Sequence, residues 1–173
     1  MKLNLSMNPH AEFQKPITDD EYSPTYIIVH HSAVDSPDPQ FKDIDAWHRV
    51  RKFPKSKRGF HVGYHKVIEK DGTVEIARDD LERDCDALGH NFDSLSVCLV
   101  GNLSKNDPTD AQVLALGEVL TDWVNEYKIH PTKIFPHRHF ASTQCYGNRL
   151  ENNWATIVML SHKHLKGSWK KLI

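Results

Sequence analysis

Residues 26–33 read Tyr26-Ile27-Ile28-Val29-His30-His31-Ser32-Ala33. The apolar, largely β-branched run has the length and composition of a buried strand. Two histidines end it. Successive side chains on a strand point to opposite faces, so His30 and His31 cannot easily serve one partner. A strand end is also a rigid platform on which one ring can be held in a single geometry.

Working outward, Phe41, Ile44, Trp47 and His48 recur at helical spacing and predict a helix over 41–50 with these four on one face. A basic loop follows, Arg51-Lys52-Phe53-Pro54-Lys55-Ser56-Lys57-Arg58-Gly59. His61 to Ile68 predicts a strand and Val74 to Ala77 its partner. Between them, Lys70-Asp71-Gly72-Thr73 has the Asp-Gly pair that tolerates positive φ in a hairpin turn. Leu95 to Val100 predicts a further strand. Thr109-Asp110-Ala111-Gln112 matches a capping box. Val113, Leu116, Leu120, Trp123, Val124 and Tyr127 then mark one face of a long helix. A short strand over 133–135 leads to His137, and 154–165 predicts a last helix. Strands interleaved with helices, with no repeats, predict an α/β fold: one domain with a central mixed β-sheet flanked by helices. Residues 1–24 are polar, carry Pro9, Pro16 and Pro24, and predict an extended N-terminal arm ahead of a domain over 25–173.

The chain has 173 residues, enough for one domain with a substantial core. Its hydrophobic fraction, 39%, is too high for a disordered chain. A formal net charge of -1 offers no case for nucleic acid as a partner. No apolar run approaches a membrane span. The first residues lack an apolar signal core, so the expectation is synthesis in the cytoplasm without a signal peptide. Three cysteines, Cys85, Cys98 and Cys145, argue against a complete disulfide framework.

Twelve histidines need a use. Cys145 stands eight residues after His137, and His30 ends the first strand. Zn²⁺ accepts imidazole nitrogen and thiolate sulfur together, and three protein ligands leave a fourth place for water. Spacing alone is a weak signal, because eight residues do not make a compact ligand pair. A strand-end histidine is commonly a satisfied core or surface residue, and a free cysteine a small buried apolar group. Both readings stand on the residues alone.

The ordered set Ile27-Ile28-Val29-His30-His31-Ser32-Ala33, Trp47-His48, Val62-Gly63-Tyr64-His65, Asp71-Gly72-Thr73-Val74, Val97-Cys98-Leu99-Val100-Gly101 and His137 to Cys145 resembles a known family. It is that of the zinc-dependent N-acetylmuramoyl-L-alanine amidases of phage endolysins and of the peptidoglycan recognition proteins. The resemblance runs from about Thr25 to Trp154. It implies that His30, His137 and Cys145 hold Zn²⁺, with His31 and His139 as nearby competitors. It implies that Tyr64 and Thr143 are catalytic, the former donating a hydrogen bond to a developing oxyanion. The implied reaction is hydrolysis, by zinc-activated water, of the amide between N-acetylmuramic acid and L-alanine of the stem peptide. The implied partner is bacterial peptidoglycan, reached by a monomer after release from the cell that made it.

Three departures from the family pattern stand out. Cys98 occupies a place where a related branch has Glu, so no carboxylate base acts from there. Asp86-Ala87 replaces a frequent His-Ala. Tyr146-Gly147 replaces the Pro-Gly that often follows the cysteine, a change expected to reshape the cleft wall. Two rivals follow from the same residues. One is a recognition module that binds peptidoglycan without cutting it, although members with that role typically lose the cysteine. The other is a structural zinc domain with four protein ligands. Arg49, Arg51, Lys52, Lys55, Lys57 and Arg58, with Lys163, Lys166, Lys170 and Lys171 near Leu165, Trp169 and Leu172, form basic segments. They read as a solvated surface or as a hold on an anionic envelope.

Overall fold

A computed structural model describes residues 22–38, 40–164 and 168–171. Among the described residues, five strands form one sheet: β1 (Tyr26–His31), β2 (Lys66–Ile68), β3 (Val74–Ile76), β4 (Ser94–Leu99) and β5 (Ile134–Pro136). Their order is β3-β2-β4-β1-β5. The mixed pattern is as expected: β1 runs parallel to β4 and β5, β2 parallel to β4, and β2 antiparallel to β3. The α-helices among the described residues are α1 (Phe41–Val50), α2 (Asp110–Tyr127) and α3 (Trp154–Ser161).

The two faces of the sheet do different work. Ile27, Val29, Leu95, Val97 and Leu99 share a core with Val113, Leu116, Leu120 and Trp123 of α2 and with Trp154 and Val158 of α3. The alternate residues Val67 and Cys98 meet Ile44 of α1 and Val62 on the opposite face. Period-2 alternation along β1 therefore assigns His31 to the α2 side and His30 to the α1 side. His30 pairs in register with Cys98, and the His31 Nδ1 accepts a hydrogen bond from the Leu103 amide at 2.9 Å.

Local signals set the start of α2 and the turn between β2 and β3. Thr109 accepts from the Gln112 amide while the Gln112 side chain accepts from the Thr109 amide, so the capping box is complete. Gly72 has φ +88°, which the β2–β3 turn needs and an added Cβ would resist. Four expectations need correction. The β2 strand begins at Lys66, not His61. The stretch before it is tied to loops and side chains, with the Gly63 amide donating to His48 Nδ1 and the Cys85 amide to the Gly63 carbonyl. The last helix ends at Ser161 and tightens into a 3₁₀ turn over His162–His164; Leu165 lies outside the described residues. Trp47 is exposed, so the buried stripe of α1 is Ile44 and His48 with Phe41 beside it. Tyr146 does not form the cleft wall. It is buried, packs against Trp154 at 5.6 Å, and donates from its hydroxyl to the Glu151 carbonyl. Of the arm, residues 1–21 lie outside the described residues, whereas Tyr22 and Pro24 are buried. The Tyr22 hydroxyl donates to the Ser94 carbonyl and lies 3.2 Å from His65 Nε2.

Candidate metal centre and cleft

The site is assembled from three separate pieces of chain. β1 delivers His30. A 3₁₀ turn directly after β5 delivers His137. The loop returning from that turn delivers Cys145, and Arg138 holds this loop closed. The Arg138 amide donates to the Cys145 carbonyl at 2.7 Å, and its guanidinium donates to Asn152 Oδ1 and to the carbonyls of Gly147 and Leu150. Nothing in residue type alone singles out Arg138 from its basic neighbours.

One ligand atom from each of His30, His137 and Cys145 lies within 4.8 Å of the others. Cys145 Sγ stands 3.6 Å from His30 Nδ1. Ligand atoms held tetrahedrally at about 2.0–2.3 Å from one ion are spaced about 3.3–3.8 Å apart, so this separation suits a shared cation. The His31 amide donates to Cys145 Sγ at 3.3 Å and helps hold it in place. His31 itself is not in the group. His139 is not either, since its ring stacks on Phe135 at 4.3 Å.

Asp86 supplies what the sequence reading missed. Its Oδ2 lies 2.7 Å from His30 Nε2, and both side chains are nearly free of solvent. Burial opposes a charged His30, but Cys145 and the Asp86 hydrogen bond outweigh it and carry the pKa up to about 9. His137 moves the other way, to about 4, through burial and the nearby His30. Burial raises Asp86, yet its bond to His30 prevails and holds it below the usual carboxylate range. Asp84, buried beside it, is pushed well up by burial and by the Asp86 charge.

A cleft of about 340 Å³ opens over the trio, lined by His48, Tyr64, Asp86 and Asn91 among others. The Tyr64 ring centre is 4.9 Å from that of His30. Burial drives the Tyr64 pKa well above its ordinary value, so the phenol keeps its proton and is a donor rather than a base. Thr143 is exposed on the Cys145 loop and is not among the residues lining this cleft; its Oγ1 accepts from the Cys145 amide at 3.3 Å. Cys98 is wholly buried beneath the site.

The N-acetylmuramoyl-L-alanine amidase family model matches residues 20–148. The chain belongs to that family. It is 32% identical over 134 residues to the endolysin of Enterobacteria phage T3, covering 74% of this chain and 83% of that endolysin. It is 27% identical over 134 residues to peptidoglycan-recognition protein SC2 of Drosophila melanogaster, covering 76% and 73%. Among solved structures, N-acetylmuramoyl-L-alanine amidase LysC from Clostridium intestinale URNW superposes with a TM-score of 0.68 at 26% identity, covering 88% of this amidase and 92% of LysC. No helix among the described residues is long and apolar enough to cross a membrane.

Proposed function

We propose that this amidase is a zinc-dependent endolysin. It hydrolyses the amide joining the lactyl group of N-acetylmuramic acid to L-alanine of the stem peptide. The observation that carries the reading is the convergence of His30, His137 and Cys145 at the floor of an open cleft beside Tyr64. Residues 25–173 are the proposed catalytic unit, acting as a monomer on peptidoglycan after release from the cytoplasm.

His30, His137 and Cys145 would hold the ion. When bound, Zn²⁺ supplies a Lewis acid and brings the pKa of water towards ~7. The chain's own residues provide the rest. Tyr64 donates a hydrogen bond to the carbonyl oxygen as negative charge develops on it. Thr143, on the Cys145 loop but outside the residues that line the cleft, is a second proposed donor, because accepting from the Cys145 amide leaves its hydroxyl proton free to give. Asn91 and Ala87 line the same cleft, and His48 supports the Tyr64 segment through Gly63.

The identity to protein SC2 keeps one other reading in play, a module that holds peptidoglycan without cutting it. Mass spectrometry of products from purified peptidoglycan separates the two. Release of intact stem peptides with a free L-alanine amine, leaving unsubstituted lactyl carboxyls on the glycan, is the expected result. Retention on the wall with no new amine would establish the binding module instead.

A further inference from the structure

The two nitrogens of His30 face different partners. Nε2 lies 2.7 Å from Asp86 Oδ2, while Nδ1 lies 3.6 Å from Cys145 Sγ. An ionised carboxylate only accepts hydrogen bonds, so the proton of this pair resides on Nε2. Once Nδ1 gives up its proton, the neutral imidazole that remains, protonated at Nε2, presents the Nδ1 lone pair towards Cys145. Second partners of this kind fix the tautomer and the orientation of a metal-binding ring and make it a stronger ligand.

Asp86 is itself held in place. Its amide and that of Ala87 both donate to Asn91 Oδ1 at 3.1 Å. The neighbouring Cys85 amide donates to the Gly63 carbonyl at 2.9 Å, which ties this loop to the segment carrying Tyr64. With the side chains of His30 and Asp86 at 2% and 0% exposure, the contact is shielded from water and its geometry cannot drift freely. Besides His30, the buried carboxylate meets the Asp84 side chain, which hydrogen-bonds to it and is the proton-bearing member of that carboxyl pair, so Asp86 stays an ionised acceptor towards Nε2.

We infer that Asp86 is a positioning residue for the metal centre: its carboxylate fixes His30 as the Nε2–H tautomer and aims Nδ1 at the ion. The inference rests on the zinc reading of His30, His137 and Cys145. A purely structural Asp86–His30 pair would affect the stability of the metal-free protein and leave metal affinity alone, so affinity is the quantity to measure.

The experiment is a zinc titration of wild type, Asp86→Ala, Asp86→Asn and Cys145→Ser against a chromophoric chelator, with circular dichroism of each metal-free protein. Asp86→Ala should bind zinc about 10–100-fold more weakly than wild type while retaining its fold. Asp86→Asn should lose less, since the amide oxygen still accepts from Nε2 but lacks the charge. Zinc binding by Asp86→Ala equal to wild type, with Cys145→Ser defective, would overturn the inference and leave the zinc reading intact. A wild type that binds no zinc would overturn both. Should Asp86→Ala fail to fold, Asp86→Asn decides: weakened binding supports the role, and wild-type affinity rejects it.

Discussion

Cys145 Sγ and His30 Nδ1 stand 3.6 Å apart although 115 residues separate them in the chain. That approach brings the end of β1 and the loop after the edge strand β5 to one point. It depends on β1 pairing with β5, where Val29 is in register with Pro136, immediately before His137.

Tyr64→Phe separates chemistry from metal holding. The variant keeps the ring beside His30 but loses the phenol. Zinc content and fold should stay at wild-type levels while turnover falls by roughly 10²–10³, the scale for losing one oxyanion donor. Turnover within a few-fold of wild type would make Tyr64 a packing residue.

A titration test concerns His48. Its Nδ1 accepts from the Gly63 amide at 2.9 Å, and burial followed by the Arg51 and Arg78 charges lowers its pKa from 6.5 to about 4. The folded value lies below the unfolded one, so on acidification the unfolded chain takes up this proton first. The stabilisation from neutral His48 is therefore complete above pH 6.5 and is lost as pH falls from there to about 4. Urea unfolding of wild type and His48→Asn across that window should show a wild-type slope steeper by up to about 1.4 kcal/mol per pH unit. Parallel curves would mean that His48 titrates normally.

Legibility followed range along the chain. His30, Tyr64 and Cys145 stand out through the resemblance carried by the ordered motifs, and strand alternation alone separates His30 from His31. The helix starting at Thr109 was equally plain, since a capping box is written in four consecutive residues. Asp86 was noted only as a departure, because its partner lies 56 residues away and no period or spacing links the two. The excess length given to β2 has a similar origin: residues 61–65 look extended, but Gly63 is claimed by His48 and Cys85 rather than by a ladder. Trp47 fits a helical stripe by spacing, yet among the described residues it is exposed.

Gly117→Ala probes packing remote from the cleft. A Cβ there would sit 2.3 Å from His162 Cγ and 2.4 Å from its Cβ, where α2 meets the turn after α3. Overpacking of this kind costs about 1–3 kcal/mol. The urea midpoint should fall accordingly, with turnover at low temperature unchanged. An unshifted midpoint would mean that His162 yields without cost.

The basic segments divide in the structure. Trp169 is buried against Trp154 and Lys170 pairs with Asp107 at 2.7 Å, so neither is a free envelope anchor. Lys166 lies outside the described residues, as does the side chain of Lys171. In the 49–58 segment all six cations are exposed, with Arg58 paired to Asp79. If these cations hold an anionic wall, activity on intact wall should fall with salt more steeply than activity on a soluble muropeptide, because screening acts within about 8–10 Å. Replacing Lys52, Lys55 and Lys57 with Gln should flatten the difference. Identical salt curves for both substrates would assign them to a solvated surface.

The most direct test of the account is metal content and amide hydrolysis measured on the same samples: wild type, chelator-treated wild type, chelator-treated wild type given back Zn²⁺, and Cys145→Ser. The account predicts one zinc per chain in active wild type, loss of both zinc and hydrolysis on chelation, recovery of both on zinc addition, and neither in Cys145→Ser, where the soft thiolate is gone. Full hydrolysis by the zinc-free protein, or wild-type zinc occupancy in Cys145→Ser, would contradict it.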